Sequence, residues 1–391
     1  MMLSIIEHKV DLKIPVGEGV HALIAQIPNR LRLKGRFFRI ADPGRQRNVF
    51  LSILDTAARF PEDDRLNFLF FPESTLPFGG FEEAAEAIHS RIPENTVIVF
   101  GLEHITLKQY RELLERFSED NGGVLETVAS DWEGEEQSKP VNVCVTTIRE
   151  IGGRTRHFFF AKTHPFAGEE TLDHLFDLYR GKAFLLFSCR EVPFNFMPLI
   201  CFDFVYRDLH HSNIMAIIEK ANEVYFNHHQ GLDLLAVIQC NPKPDHRVFR
   251  DVITGFYGEH LFKTPGTVGA VTIFANSSSD TQLEGVSGSG NFGHSSIVCA
   301  AKHKLPKIRL SEFLTDDFSG SPISRLRFNH KTRLYTARIF PYHEADPRSS
   351  RTAIKVTGVY RPLSPPGWER MSGEELLTGV SMDVDDSMAF Y

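Results

Sequence analysis

Unbroken apolar runs of strand length recur along the chain, and they limit most of what it can become. Residues 66–71 (LNFLFF), 97–102 (VIVFGL), 194–204 (FNFMPLICFDF) and 268–275 (VGAVTIFA) are of this kind, and 21–26 (HALIAQ) is similar. Runs this short and this apolar read as strands buried on both faces. Between them, residues 46–60 and 82–91 carry apolar side chains at helical spacing. Strands and helices therefore alternate, which predicts a layered α/β architecture.

The remaining segments are read by the same rules. Residues 141–149 alternate, Gly152-Gly153 supplies a turn and 155–161 resumes, so a β-hairpin delivers Lys162. Residues 214–221 predict a short helix leading to a strand at 223–227. Residues 112–140 are acidic and read as a loop-like surface insertion. The stretch from Ser364 onward is rich in turn formers and acids, and is expected to be a peripheral or flexible tail. The resulting expectation is a leader (1–20), a main domain (21–300, with the insertion), a C-terminal extension (301–363) and the tail (364–391).

Composition narrows the function classes. With 42% hydrophobic and 24% charged residues among 391, the chain has material for a sizeable core. The net charge of -7, with both signs interspersed, gives no nucleic-acid footprint. Cys144, Cys189, Cys201, Cys240 and Cys299 form no Cys-x-x-Cys pair and fit reduced thiols in the cytoplasm. The N-terminal segment lacks a signal-peptide pattern, and no apolar run approaches the roughly 20 residues of a membrane helix. A cytoplasmic protein without membrane contact is expected.

Three apolar strands end alike, each on one reactive residue: FLFFPE on Glu73, RHFFFAK on Lys162 and MPLIC on Cys201. In layered α/β sheets, strand ends converge on a crevice, so residues distant in sequence can meet there. A carboxylate, an ammonium and a thiol in one dry pocket form a catalytic set. Taken singly, each has an ordinary reading: a cysteine in a strand is commonly a small buried hydrophobe, and a charged strand end is commonly solvated.

Their surroundings separate these readings. Phe71-Pro72-Glu73, then Asn142 and Lys162-Thr163-His164-Pro165-Phe166, then Leu199-Ile200-Cys201-Phe202-Asp203 stand in the order and approximate spacing of three motifs. In them the chain resembles the nitrilase or carbon–nitrogen hydrolase superfamily. Residues 25–28 (AQIP), 271–277 (VTIFANS) and Gly293-His294-Ser295 are similar to further parts of that family, so the resemblance spans roughly residues 20–300. It implies an α-β-β-α sandwich with two central sheets flanked by helices. It also implies a Glu73–Lys162–Cys201 triad, and a supporting role for Glu170, eight residues after Lys162. Homodimers or larger homo-oligomers are implied as well, with no cofactor.

The chemistry expected of such a set is cleavage of an amide or nitrile through a thioester. A thiol of ordinary pKa, about 8.5, needs a base or a cation to act as nucleophile at neutral pH. Glu73 is the candidate base, and Lys162 with the backbone N–H of Phe202 would stabilise the tetrahedral species. Acyl transfer by the same triad is an alternative. A nitrilase-fold scaffold that binds a protein partner through its C-terminal part is another.

Competing chemistries are weaker. Neighbouring histidines on a strand face opposite ways, so His210-His211 and His228-His229 make poor chelators, and no metal is expected. A Cys201–histidine dyad, through His164 or a downstream histidine, ranks below the glutamate scheme. Residues 276–293 lack the Gly-Lys-Ser/Thr ending of a phosphate loop.

Overall fold

The computed structural model describes residues 3–15, 17–165, 178–207, 212–225, 230–255, 270–284, 291–300, 305, 307–317, 323–340, 354–364 and 366–378. They form a mixed α/β fold with two large sheets, each of eight strands among the described residues. The first sheet runs Ser4–Val10, Ala183–Cys189, Asn195–Ile200, Leu234–Gln239, Val271–Asn276, Ser296–Ala300, Ile323–Phe328, Phe313–Asp317. The second runs Thr155–Ala161, Val143–Arg149, Thr96–Gly101, Phe68–Phe70, Val20–Gln26, Arg333–Ile339, Ile354–Leu363, Gly367–Arg370.

The apolar runs occupy the middle of both sheets, where strands are covered on each face. Val20–Gln26, Phe68–Phe70 and Thr96–Gly101 pair in parallel, as do Asn195–Ile200, Leu234–Gln239 and Val271–Asn276. All six are buried along their whole length. The sheets touch through large aromatics: Phe68 stands edge-on to Phe196 at 5.2 Å, and Phe158 to Phe187 at 4.9 Å. Helix Pro43–Ala58, capped by the Asp42 side chain, stacks Phe50 on Phe71. Within each parallel set the strands end together, so the residues that follow them gather at one edge.

Two local expectations are corrected. Residues 112–140 are largely helical, in Leu107–Arg116 and Ser118–Asp131. The charges that suggested a loop line the exposed face, while Tyr110, Leu113, Leu114, Val124 and Val128 are buried at helical spacing. Asn121, which reads as a turn residue beside Gly122, instead bonds the edge strand: its Nδ2 donates to the His157 carbonyl and its Oδ1 accepts from the Phe159 N–H, both at 2.8 Å.

Helix Asn213–Tyr225 also continues through residues 223–225, where a strand was expected. The strand comes later, at Leu234–Gln239. In the tail, Gly367–Arg370 pairs with Ile354–Leu363, the Trp368 indole N–H donates to Ser52 Oγ, and Gly373–Thr378 is helical. Residues 379–391 lie outside the described residues. No helix among the described residues is long and apolar enough to cross a membrane.

Gly101 is where two of these strands meet the site. Its N–H donates to Pro72 O, and its carbonyl accepts from the N–H groups of Thr75 and Leu76. A Cβ at this position would lie 2.4 Å from the Ser74 nitrogen and 2.8 Å from the Glu73 Cα. Both are backbone atoms and cannot swing aside. Gly101→Ala is therefore expected to lower stability by about 1–3 kcal/mol in urea denaturation.

Candidate active site

Glu73 follows the buried strand Phe68–Phe70, Lys162 follows Thr155–Ala161, and Cys201 follows Asn195–Ile200. Glu73 and Lys162 meet. Lys162 Nζ donates to Glu73 Oε1 at 2.9 Å, with the lysine side chain at 0% exposure and the glutamate at 6%. The carboxylate is held from other directions as well: Asn142 Nδ2 donates to Oε1 at 2.6 Å, and the Cys240 N–H donates to Oε2 at 3.0 Å. Its own backbone is fixed by Asn29 Nδ2, which donates to the Glu73 carbonyl, and by the Glu73 N–H, which donates to Gln239 O.

The Lys162 segment is anchored with equal care. The Lys162 N–H donates to Asn142 O, and its carbonyl accepts from the Gly181 N–H. Gly181 allows that approach, because a Cβ there would lie 2.0 Å from Ala161 O.

Cys201 opens a short 3-10 turn, Cys201–Phe204, directly after a strand whose residues are all buried. Its φ is +42°, the left-handed region that non-glycine residues seldom adopt, and Ser74 beside Glu73 is at +55°. Such conformations cost about 1–3 kcal/mol each and cluster at functional sites.

Asp203 ties this turn to the lysine segment. Its Oδ1 accepts from the Thr163 N–H, the Thr163 hydroxyl and the His164 N–H, at 2.7–3.1 Å. Asn213 Nδ2 donates to the Asp203 carbonyl and to Thr163 Oγ1. Burial pushes the Asp203 carboxyl up to about 7, against the Thr163 and His164 hydrogen bonds and the Lys162 charge. Its Oδ2 is buried and has no hydrogen-bond partner among the described residues.

Three further thiols are shifted by their surroundings. Burial pushes Cys144 and Cys189 well up, and raises Cys240 to about 12 with the Glu73 carboxylate adding to the effect. These three stay protonated at neutral pH and are poor nucleophiles.

The Asn29 and Cys240 contacts are absent from the sequence reading. The signal for Cys240 was available, since LLAVIQC is one more apolar strand ending on a polar residue. Glu170, His210, His211, His228 and His229 lie outside the described residues. Among those described, no group of three or more His, Cys, Asp and Glu is placed to hold a metal ion.

No protein-family model and no curated protein matches the chain. Among solved structures it is similar to one described as "Crystal structure of N-terminal amidase". The TM-score is 0.40 and the identity 10%, over 72% of this chain and 90% of that one. A second, "Crystal structure of N-terminal amidase with Gln-Gly peptide", has TM-score 0.33 and 11% identity, over 61% of this chain and 54% of that one. Likenesses this slight carry no argument about activity.

Two expected outcomes follow from the geometry. Removing one member of a buried ion pair leaves the other charge stranded, so Glu73→Gln or Lys162→Met alone should cost about 3–5 kcal/mol. The double variant should cost clearly less than the sum of the two in urea denaturation. Asp203→Asn should change the pH dependence of stability. A carboxyl raised from 3.8 to about 7 on folding binds its proton more tightly in the native state, so its contribution is full below pH ~4 and is lost as pH rises through about 7. Unfolding measured from pH 4 to 8 should show the stability of Asp203→Asn, relative to the parent, rising with pH up to about 7.

Proposed function

We propose that the chain is a thiol hydrolase of carbon–nitrogen bonds in amides or nitriles, with a nitrilase-like α-β-β-α arrangement of its sheets and helices. The observation that carries this reading is the buried Lys162–Glu73 pair. An ammonium at 0% exposure is costly to desolvate, and a hydrophobic pair of similar volume would commonly be at least as stable. A chain that keeps such a pair, at the strand-end edge where Cys201 is held at a strained φ, has a chemical use for it.

In this reading Cys201 attacks the acyl carbon while Glu73 takes the thiol proton. The C–O π electrons move to oxygen, where Lys162 Nζ and the Phe202 N–H stabilise the negative charge. The C–N bond then breaks, and the proton on Glu73 leaves with ammonia or an amine, giving a thioester. Water attacks the thioester and loses a proton to Glu73. The tetrahedral species collapses, the thiolate leaves and recovers that proton, and the acid departs. Asn142 and the Cys240 N–H orient the carboxylate throughout.

The test is turnover and labelling together. Cys201→Ala should abolish ammonia release from small amides and covalent labelling by an electrophilic amide or nitrile probe. Glu73→Gln should lower kcat by about 10²–10⁴-fold. Equal labelling of Cys201→Ala and parent in intact-protein mass spectrometry would sink the proposal.

A further inference from the structure

A cavity of about 770 Å³ lies where five stretches of chain meet, residues 28–30, 42–52, 280–282, 332 and 362–368. Its size falls within the ~300–1,000 Å³ of small-molecule sites. One wall is the hairpin of Ile354–Leu363 and Gly367–Arg370, which the Trp368 indole N–H fastens to Ser52 Oγ on helix Pro43–Ala58. None of the lining residues belongs to the proposed catalytic set.

Its charges set it apart from the surface around it. Between residues 30 and 47 the chain carries seven basic side chains and one acid, Asp42. Four of the seven are matched to acids: Arg32 to Glu284, Arg36 to Glu136, Arg39 to Glu103 and Arg47 to Glu83. The side chains of Arg30, Lys34 and Arg45 have no ion-pair or hydrogen-bond partner among the described residues. Of the seven, Arg30 and Arg45 are the two that line the cavity. Two carboxylates line it as well. Asp42 Oδ1 accepts the Arg45 N–H and Asp280 Oδ2 accepts the Thr332 hydroxyl, but neither acid forms an ion pair with Arg30 or Arg45.

We infer that this cavity binds a nucleoside mono- or diphosphate, a ligand separate from the substrate of the hydrolase reading. Two guanidinium groups offer planar, permanently charged forks that match phosphate oxygens. The Trp368 ring, half-buried and anchored through its N–H, is a platform of the kind on which a base stacks. The second oxygens of Asp42 and Asp280 can accept from ribose hydroxyls, as carboxylates do in dinucleotide sites. Simpler ligands use only part of this set. Inorganic phosphate would bring an anion up to two carboxylates, and an apolar ligand would cover two unpaired guanidinium groups.

The test is calorimetric titration of the full chain with AMP, ADP, adenosine and inorganic phosphate. AMP or ADP should bind at least about 10-fold more tightly than adenosine or phosphate alone, since each of these lacks one half of the contacts. Arg30 and Arg45 are exposed and unpaired, so Arg30→Gln and Arg45→Gln should keep the parent Tm while each weakens nucleotide binding by about 10-fold or more. Trp368→Leu should weaken it by about 10-fold, and Trp368→Phe, which keeps a stacking ring, by less. Lys34→Gln, on the same strand but outside the cavity, should leave it unchanged. The inference is overturned if the parent binds neither nucleotide, if phosphate alone binds as tightly as AMP and ADP, or if both arginine variants or Trp368→Leu bind as the parent does. It is also overturned if Lys34→Gln loses as much as the arginine variants, or if a single-stranded oligonucleotide binds more tightly than ADP, because the face would then be a general anionic or nucleic-acid surface. Amide turnover by the parent is measured separately, and neither its presence nor its absence bears on these outcomes.

Discussion

One buried ion pair organises the strand-end edge of this molecule. Lys162 is fully enclosed, and such an ammonium is tolerable only with a carboxylate in contact and further hydrogen bonds to complete both shells. Much of the surrounding structure supplies those bonds. Asn142 and the Cys240 N–H complete Glu73, Asn29 and Gln239 fix its backbone, and Asn142 O with the Gly181 N–H fixes the backbone of Lys162. The pair itself follows two strands of the second sheet, Phe68–Phe70 and Thr155–Ala161, while the Cys240 N–H and the Gln239 carbonyl that support Glu73 come from the first.

The parallel strands make that assembly possible. Parallel neighbours end at the same side, and two such sets, in contact through Phe68 and Phe196, bring their ends to one edge. The backbone groups released where pairing stops need partners in a dry place. Short polar side chains provide them. Asn276, for instance, accepts the N–H of Asn241 and of Ser277, and donates to the carbonyls of Asn241 and Gly293. A rigid polar mesh of this kind leaves Glu73 with little freedom, which suits the role proposed for it.

Asp203 links the two halves of the proposed chemistry. It accepts three hydrogen bonds from the segment just after Lys162 while standing two residues after Cys201. Strain at Cys201 and Ser74 sits on either side of this framework, where dense hydrogen bonding can sustain it.

The amino-acid sequence by itself determined the alternation of buried strands and helices, the hairpin at 143–161 and the placing of Glu73, Lys162 and Cys201 at three strand ends, because all of these are local: a strand-length apolar run and the residue that stops it are adjacent in the chain. Wherever charge pattern and burial pattern diverge, local reading failed. Residues 112–140 look like an acidic loop and are largely helical, since an exposed face carries most of the charges while a buried stripe packs on the edge strand. Residues 223–225 stay helical, with Tyr225 buried and its hydroxyl at hydrogen-bond distance from Ser188 Oγ on a strand of the first sheet. Only the tertiary structure decided that Glu73 meets Lys162, that the Cys240 N–H completes its carboxylate while Asn29 holds its backbone carbonyl, and that the strands of residues 30–40 and 282–284 lie against it. Each of these is a contact between segments far apart in sequence, and no periodicity records which strand ends will face one another.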